Sequence, residues 1–304
     1  MRIGIFAGAT PETSFGLTEL VTFARDVEAR GFDTLWLPNV FGMDAVGACA
    51  IAGWETQRME LGTAVTPTYP RHPAALAQQA LTTQLACGDR FALGIGLSHQ
   101  LVIEGMFGLS YDKPARHMEE YLQILAPLLR GEAADFAGER LTAKLALDVP
   151  GADEVPLLVA ALGPAMLKLA GTYAHGTTTW MTGPKTIEEH ILPTISAAAA
   201  AVGKPAPRIV CGLPICLTRN VDAAREQIGK RLEIYGMLPS YRAMLDREGV
   251  AGPAELSIVG DEATLRAAIA RLRDVGVTDF SAAVVGVDGG GVDATLDLLQ
   301  TELA

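Results

Sequence analysis

The sequence predicts an α/β protein, a (β/α)8 TIM barrel with insertions after strands four and seven, and three observations carry that expectation. Short apolar runs alternate with longer amphipathic stretches about eight times from Arg2 to Ala304. Such alternation builds a parallel sheet with helices outside it. The length of 304 residues suits one barrel, which commonly takes roughly 250 residues and grows by insertion, so a single domain over 1–304 is expected. Hydrophobic residues make up 49% of the chain and charged residues 19%, enough apolar material for a barrel interior and for the inner faces of a helical ring.

Arg2-Ile3-Gly4-Ile5-Phe6 reads as strand one. Its helix covers 17–30, because Leu17, Leu20, Val21, Ala24 and Val27 recur at spacings of three and four and form one apolar stripe that Gly31 ends. Strand two, 33–37, runs into Pro38-Asn39, and the helix after it, 44–53, is almost wholly small or apolar and should be buried. Strand three, 60–65, enters a loop stiffened by Pro67, Pro70 and Pro73 before the helix 74–86. Strand four, 90–95, is followed by a long connection, 96–112, the first insertion, and then by the helix 114–130. Residues 131–154 read as irregular. Strand five, 155–160, passes through Gly163-Pro164 into a helix to 173, and strand six, 176–180, through Met181-Thr182-Gly183-Pro184 into an alanine-rich helix ending near 203. Strand seven, 208–217, precedes a helix over 221–235 and an extra one near 239–248, the second insertion. The helix 262–275 then leads to the last strand, 279–285.

With 24 basic and 35 acidic residues the net charge is −11, which repels phosphate backbones and anionic lipid and argues against nucleic-acid or membrane partners. The chain enters strand one without a cationic and apolar leader, and no long apolar run follows, so a cytoplasmic location is expected. Cys49, Cys87, Cys211 and Cys216 contain no CxxC pair. Cys211 and Cys216, five apart on one strand, point to opposite faces, so the four read as reduced core thiols.

Chemistry in this architecture belongs at the carboxyl ends of the strands. Gly163-Pro164 offers an anion site there: glycine permits close backbone approach, proline at the first helical position needs no donor, and the remaining helix-start amides attract phosphate. An ordinary turn is the competing reading. Thr182-Gly183-Pro184-Lys185 repeats the arrangement one unit later, and the repetition favours a phosphate group over chance. Gly94-Ile95-Gly96-Leu97-Ser98-His99 lacks the third glycine of a dinucleotide fingerprint, and Ser98 fails as a nucleophile elbow because Gln100 stands where a second glycine belongs. His99 sits at a strand's carboxyl end, where an imidazole can donate a proton near neutral pH; the competing reading is a histidine bonded to loop backbone. His72, His117, His175 and His190 lack ligand spacing, so no metal site is expected. His117-Met118-Glu119-Glu120 reads as a solvated helix face, from which Arg116 or Glu120 could reach a loop, and Glu104, within the long connection after strand four, is either a catalytic carboxylate or, more commonly for such a position, an exposed loop carboxylate. Trp36 and Trp180 close strands two and six and serve either as walls for an aromatic cofactor or as buried packing.

Taken together, Gly31-Phe32-Asp33-Thr34-Leu35-Trp36, Leu61-Gly62-Thr63-Ala64-Val65, Arg71-His72-Pro73-Ala74-Ala75-Leu76-Ala77-Gln78-Gln79, Phe91-Ala92-Leu93-Gly94-Ile95-Gly96 and Ala160-Ala161-Leu162-Gly163-Pro164 resemble the bacterial luciferase-like monooxygenase superfamily over nearly the whole chain. Within it, the sequence is similar to the actinobacterial oxidoreductases that use the deazaflavin coenzyme F420. The resemblance implies a barrel with the cofactor ring in its mouth and the cofactor phosphate and tail at the loops after strands five and six. It also implies a non-proline cis peptide at Ala64-Val65 beneath the ring. Asn39, Ala161, Gly163 and Thr182 match cofactor contacts, with Gly96, Ala160, Leu162 and Gly183 beside them in the same motifs. The sugar-phosphate dehydrogenases of the family carry a histidine after strand two and a glutamate after strand four, where this chain has Asn39-Val40 and His99. Val40 takes no proton, so hydride transfer between F420 and a small organic molecule with an activated C=C, C=N or C=O bond is expected instead, with His99 as proton donor. The rivals are an FMN-dependent monooxygenase and a noncatalytic carrier or sensor. The resemblance also implies a homodimer as the common assembly.

Overall fold

Eight parallel strands close into a ring: β1 (Arg2–Phe6), β2 (Thr34–Leu37), β3 (Glu60–Thr63), β4 (Phe91–Gly96), β5 (Leu157–Ala160), β6 (Gly176–Trp180), β7 (Arg208–Leu217) and β8 (Asp279–Val284). The computed structural model describes residues 1–8, 16–287 and 291–303. β1 pairs with both β2 and β8, and β7 with both β6 and β8, so the barrel has no open edge. Outside it run α1 (Leu17–Ala29), α2 (Ala45–Trp54), α3 (Pro73–Ala86), α4 (Pro114–Leu129), α5 (Pro164–Tyr173), α6 (Leu192–Ala201), α7 (Glu262–Asp274) and α8 (Val292–Thr301). The expected barrel and its alternation are what the chain forms.

Strand periodicity divides the apolar residues between two cores. Ile3, Ile5, Leu35, Leu61, Leu93 and Val159 pack outward against the helices, whereas Phe6, Trp36, Ala92, Leu158, Val210 and Ala283 fill the interior. Two glycines make room for the largest interior rings. A Cβ on Gly62 would overlap the Trp36 indole, and one on Gly212 would lie 2.9 Å from Trp180 Cε3. Trp36 is fully buried and donates its Nε1–H to Thr34 Oγ1 at 2.9 Å, which settles it as packing. At the amino-terminal end of the barrel, Arg208 stacks 5.2 Å from the centroid of the Trp36 ring. Its Nη2 lies 2.5 Å from Glu60 and 2.7 Å from Asp279, and Arg2 reaches the same two carboxylates at 3.2 and 2.6 Å. The barrel floor is therefore plugged by neutralised charge.

Several elements differ from the expectation. The strand expected over 60–65 ends at Thr63, and pairing with β4 resumes only at Thr66–Pro67. Across the gap the Thr63 hydroxyl donates to Gly94 O (2.7 Å) and accepts from Gly94 N–H (2.9 Å), replacing ladder bonds. Residues 131–154 are not wholly irregular: Ala134–Ala137 and Thr142–Leu145 form an antiparallel hairpin. Its turn is pinned by Glu120, whose fully buried carboxylate accepts from the amides of Glu139, Arg140 and Leu141 at 3.0, 2.8 and 3.0 Å and from Arg116 at 2.9 Å. Burial alone would raise the Glu120 pKa, and these donors hold it below the usual carboxylate range. The solvated-face reading of 117–120 is thereby corrected, because the hairpin covers that face.

The long helix expected to run to 203 is split into Pro184–Thr186, a wider π turn Ile187–Ile191 and α6. Pro193 lacks an N–H and crowds the carbonyl four residues earlier, and an added residue in the turn relieves both defects. The helix expected over 221–235 breaks into Val221–Arg231 and Glu233–Met237. A three-residue strand unseen in the sequence, Ile258–Gly260, pairs with the outer end of β7. All four cysteines are buried and none forms a disulfide. No helix among the described residues is long and apolar enough to cross a membrane.

Gly62→Ala should lower unfolding stability by about 1 to 3 kcal/mol in urea titrations, because the added methyl meets the rigid Trp36 ring. An unchanged midpoint would mean that Trp36 is loosely held.

Candidate active site

At the barrel mouth, β5 ends at Ala160 and the chain turns through Ala161 and Leu162 to Gly163, the N-cap of α5. Among the described residues no side chain caps this helix start, which leaves the Ala165 and Met166 amides without a side-chain acceptor. A Cβ built on Gly163 would meet nothing within 4 Å among the described residues, so the backbone at the helix start is open on that side. His190, in the π turn, holds the loop from behind by donating its Nε2–H to Leu162 O at 2.8 Å. No sequence signal marked His190 for this role, apart from the proline that creates the π turn.

The second expected anion site is already filled. Glu248, at the end of the helix Pro239–Glu248, accepts from the amides of Lys185 (3.2 Å) and Thr186 (2.8 Å) and from Thr186 Oγ1 (2.7 Å). A Cβ on Gly183 would overlap that carboxylate. Thr182 is fully buried, and its hydroxyl donates to Trp180 O at 3.3 Å. Thr182 and Gly183 thus stand beneath a carboxylate of the same chain instead of lining an open cradle.

Four of the other expected positions come together. The Ala64-Val65 peptide is cis, in line with the resemblance. A Cβ on Gly96 would lie 2.6 Å from Val65 Cγ2 and 3.3 Å from the Ala160 Cβ, so glycine at 96 lets Val65 rest between the ends of β4 and β5. Small side chains and backbone form this surface. Asn39 stands across the mouth after β2, its Oδ1 accepting from Ala45 N–H (3.1 Å) and Arg71 (3.5 Å). That arrangement orients its amide NH2 group, which has no partner among the described residues. Arg71 is itself held by Asp44, the N-cap of α2.

His99 is the N-cap of the short helix Gln100–Gly105, with no bond from its side chain to the helix backbone. Burial lowers its pKa from the ordinary 6.5, so the imidazole is neutral at physiological pH. The insertion after β7 reaches it: the Tyr241 ring is 5.9 Å away, Tyr235 stands edge-on to Tyr241 at 4.9 Å, and Trp180 edge-on to Tyr235 at 6.1 Å. Trp180 is only half-buried and packs on Phe6 at 5.2 Å. An aromatic arc therefore crosses the mouth from β1 to β4. Its two tyrosines were not legible as site residues, because their insertion is placed by the distant Glu248 contact.

A second stack braces the loops after β3 and β4. Tyr69 lies between His117, 4.0 Å away and inclined by only 7°, and Tyr111 at 5.2 Å, whose hydroxyl donates to Ser98 O at 3.2 Å. Glu104 is exposed and accepts from Gln100 and from the Tyr111 amide, contacts that fit the reading of an exposed carboxylate bracing its own loop. His72 caps α3 by accepting from Ala74 N–H at 3.2 Å, and His175 accepts from Leu157 N–H at 3.0 Å. Among the described residues no three His, Cys, Asp or Glu side chains gather as a metal site.

The fold and these loops define an enzyme scaffold with a small-molecule site at the mouth of a (β/α)8 barrel. Residues 1–279 match the luciferase-like monooxygenase family, and the chain belongs to it. It is 26% identical over 247 residues to a 5,10-methylenetetrahydromethanopterin reductase of Methanolobus tindarius, covering 80% of this chain and 74% of that one. It is 28% identical over 287 residues to an F420-dependent glucose-6-phosphate dehydrogenase of Nakamurella multipartita, covering 89% and 82%. In three dimensions it is similar to the coenzyme F420-dependent tetrahydromethanopterin reductase of Methanopyrus kandleri, with a TM-score of 0.79 at 22% identity over 99% of this chain and 98% of that one.

Burial, with Arg140 nearby, lowers the His117 pKa to about 4 against the opposing pull of Glu120. A histidine depressed in the folded state takes up protons more readily once unfolded, so its contribution to stability is complete above pH 6.5 and is lost as pH falls toward 4. The urea midpoint should decline over that window, and His117→Phe, which keeps a ring against Tyr69, should remove part of the decline. Identical pH profiles for the two proteins would contradict a buried neutral His117.

Proposed function

We propose that the chain is an F420-dependent oxidoreductase that moves a hydride between coenzyme F420 and a small organic substrate with an activated C=C, C=N or C=O bond, working in the cytoplasm, where its buried thiols stay reduced. The single observation that carries this reading is the uncapped start of α5 at Gly163, open to a phosphate and adjacent to the small-residue surface of Val65, Gly96 and Ala160. The family membership and the F420-dependent relatives support it. When bound, the deazaflavin supplies a ring carbon that carries or accepts the hydride.

The chain supplies position and proton control. The Ala165 and Met166 amides would hold the phosphate, with Ala161 and Leu162 shaping the loop beneath it. Ala64, Val65, Gly96 and Ala160 would seat the ring, and the oriented Asn39 amide would donate to its polar edge. Glu248 leaves Thr182 and Gly183 without an open face, so the grip on the cofactor rests on Gly163. Tyr235, Tyr241 and Trp180 exclude water from one side of the mouth. In the reductive direction protonated His99 delivers a proton to the substrate atom beside the reduced carbon, and in the oxidative direction neutral His99 removes it.

Fluorescence titration with F420 and with FMN tests the cofactor. F420 should bind, and Gly163→Leu should abolish binding without moving the urea midpoint, because its side chain enters open space. Tight FMN binding with none of F420 would reject the proposal in favour of a flavin monooxygenase. His99→Ala should lower turnover about 100-fold. Because burial depresses the His99 pKa, kcat/KM for reduction should rise as pH falls below 6.5, and the variant should lose that rise. A variant with wild-type turnover and pH profile would remove His99 from the mechanism.

A further inference from the structure

The loops after β2 and β4 expose large apolar side chains that the core does not use. Phe41 is 62% exposed, Leu101 67% and Met106 61%, with Val40 and Phe107 beside them. Phe41 and Phe107 meet across the gap between the two loops, their ring centroids 6.5 Å apart. This surface adjoins the candidate active site along the chain. Val40 and Phe41 directly follow Asn39, and Leu101 lies two residues after His99, on the helix Gln100–Gly105, whose outer face borders an open depression lined by Gln100, Leu101, Glu104 and Gly105. An exposed apolar surface of this extent marks a binding site.

Charge narrows the occupant. Residues 38–44, 64–73 and 97–116 carry three cationic side chains besides histidines, Arg71, Lys113 and Arg116. Arg71 is committed to Asp44, Lys113 to Glu139 at 2.6 Å, and Arg116 to Glu119 and Glu120 at 3.1 and 2.9 Å. Glu104 and Asp112 add negative charge on the same side. On these three loops a phosphate or carboxylate meets no Lys or Arg outside an ion pair, and His99 is neutral; the neighbouring cation, Arg140 on the hairpin turn, acts on Tyr69 and His117.

We infer that the substrate is an uncharged molecule whose non-reacting part is an extended hydrocarbon or aromatic group, seated against the apolar surface of Phe41 and Phe107 while its reactive end reaches His99 and Tyr241. The inference rests on the hydride-transfer role proposed above and assigns the substrate class to that role. Desolvating the apolar group against the two phenyl rings supplies the binding energy, and the neutral imidazole accepts a substrate without a compensating charge.

Equilibrium titration with Nile red, an uncharged dye that brightens in apolar surroundings, tests this on the full chain without turnover. The dye should bind saturably and be displaced by a medium-chain ketone such as decanone, but not by decanoate or a hexose phosphate. Phe41→Ser and Phe107→Ser should each weaken dye binding about tenfold while F420 binding and sedimentation stay as in the wild type. Trp54→Ser, on the exposed face of α2, should change nothing. Dye binding indifferent to both rim variants, displacement by the charged compounds as effective as by decanone, or a wild-type dimer that the rim variants dissociate would each overturn the inference. Loss of F420 binding in the wild type would instead sink the proposed function, while dye binding would still read the rim.

Discussion

Closing eight strands leaves an interior wide enough only for side chains, and this constraint governs the molecule. Trp36 over Gly62 and Trp180 over Gly212 fill that interior, and Arg208 with its carboxylates seals the amino-terminal end. No ligand can lie inside, so every reacting group must stand on the loops at the other end. Trp180 links the two regions: its indole is wedged into the barrel by Phe6 and Gly212, and its outer edge supports Tyr235. The aromatic arc over the mouth thus inherits the rigidity of the core.

Electrostatics at two neighbouring helix starts then separates their roles. Both present backbone amides at the mouth, and both begin with Gly-Pro. At the second, the chain brings its own carboxylate, and an intramolecular anion held by two amides and a hydroxyl is always at high local concentration. Glu248 consequently fastens the insertion after β7 to the unit after β6 and carries Tyr241 toward His99. At the first, no carboxylate among the described residues takes that place. The two starts therefore differ: the second holds the insertion after β7, and the first is the one to which the proposed function assigns the cofactor phosphate.

The sequence made the barrel legible because strand and helix periods alternate cleanly, and because a glycine facing each interior tryptophan costs nothing in that pattern. Short elements were not legible. Ile258–Gly260 is only three residues long, and the hairpin at 134–145 lacks both a strong apolar alternation and an Asn-Gly turn. The face at His117 and Glu120 looked solvated since its helix carries charges at neighbouring positions, and it is buried by a turn about twenty residues further on. Gly163 and Gly183 read alike for a similar reason: what distinguishes them is a carboxylate 65 residues beyond the second. Local pattern finds a helix start with open amides, but only tertiary contact decides whether it stays open.

A crystal structure of the full chain grown with F420 tests the central claim most directly. The account predicts the cofactor phosphate on the Ala165 and Met166 amides in front of Gly163, with Glu248 still bonded to Thr186. A phosphate found on the Lys185 and Thr186 amides with Glu248 displaced, or away from both helix starts, would contradict it.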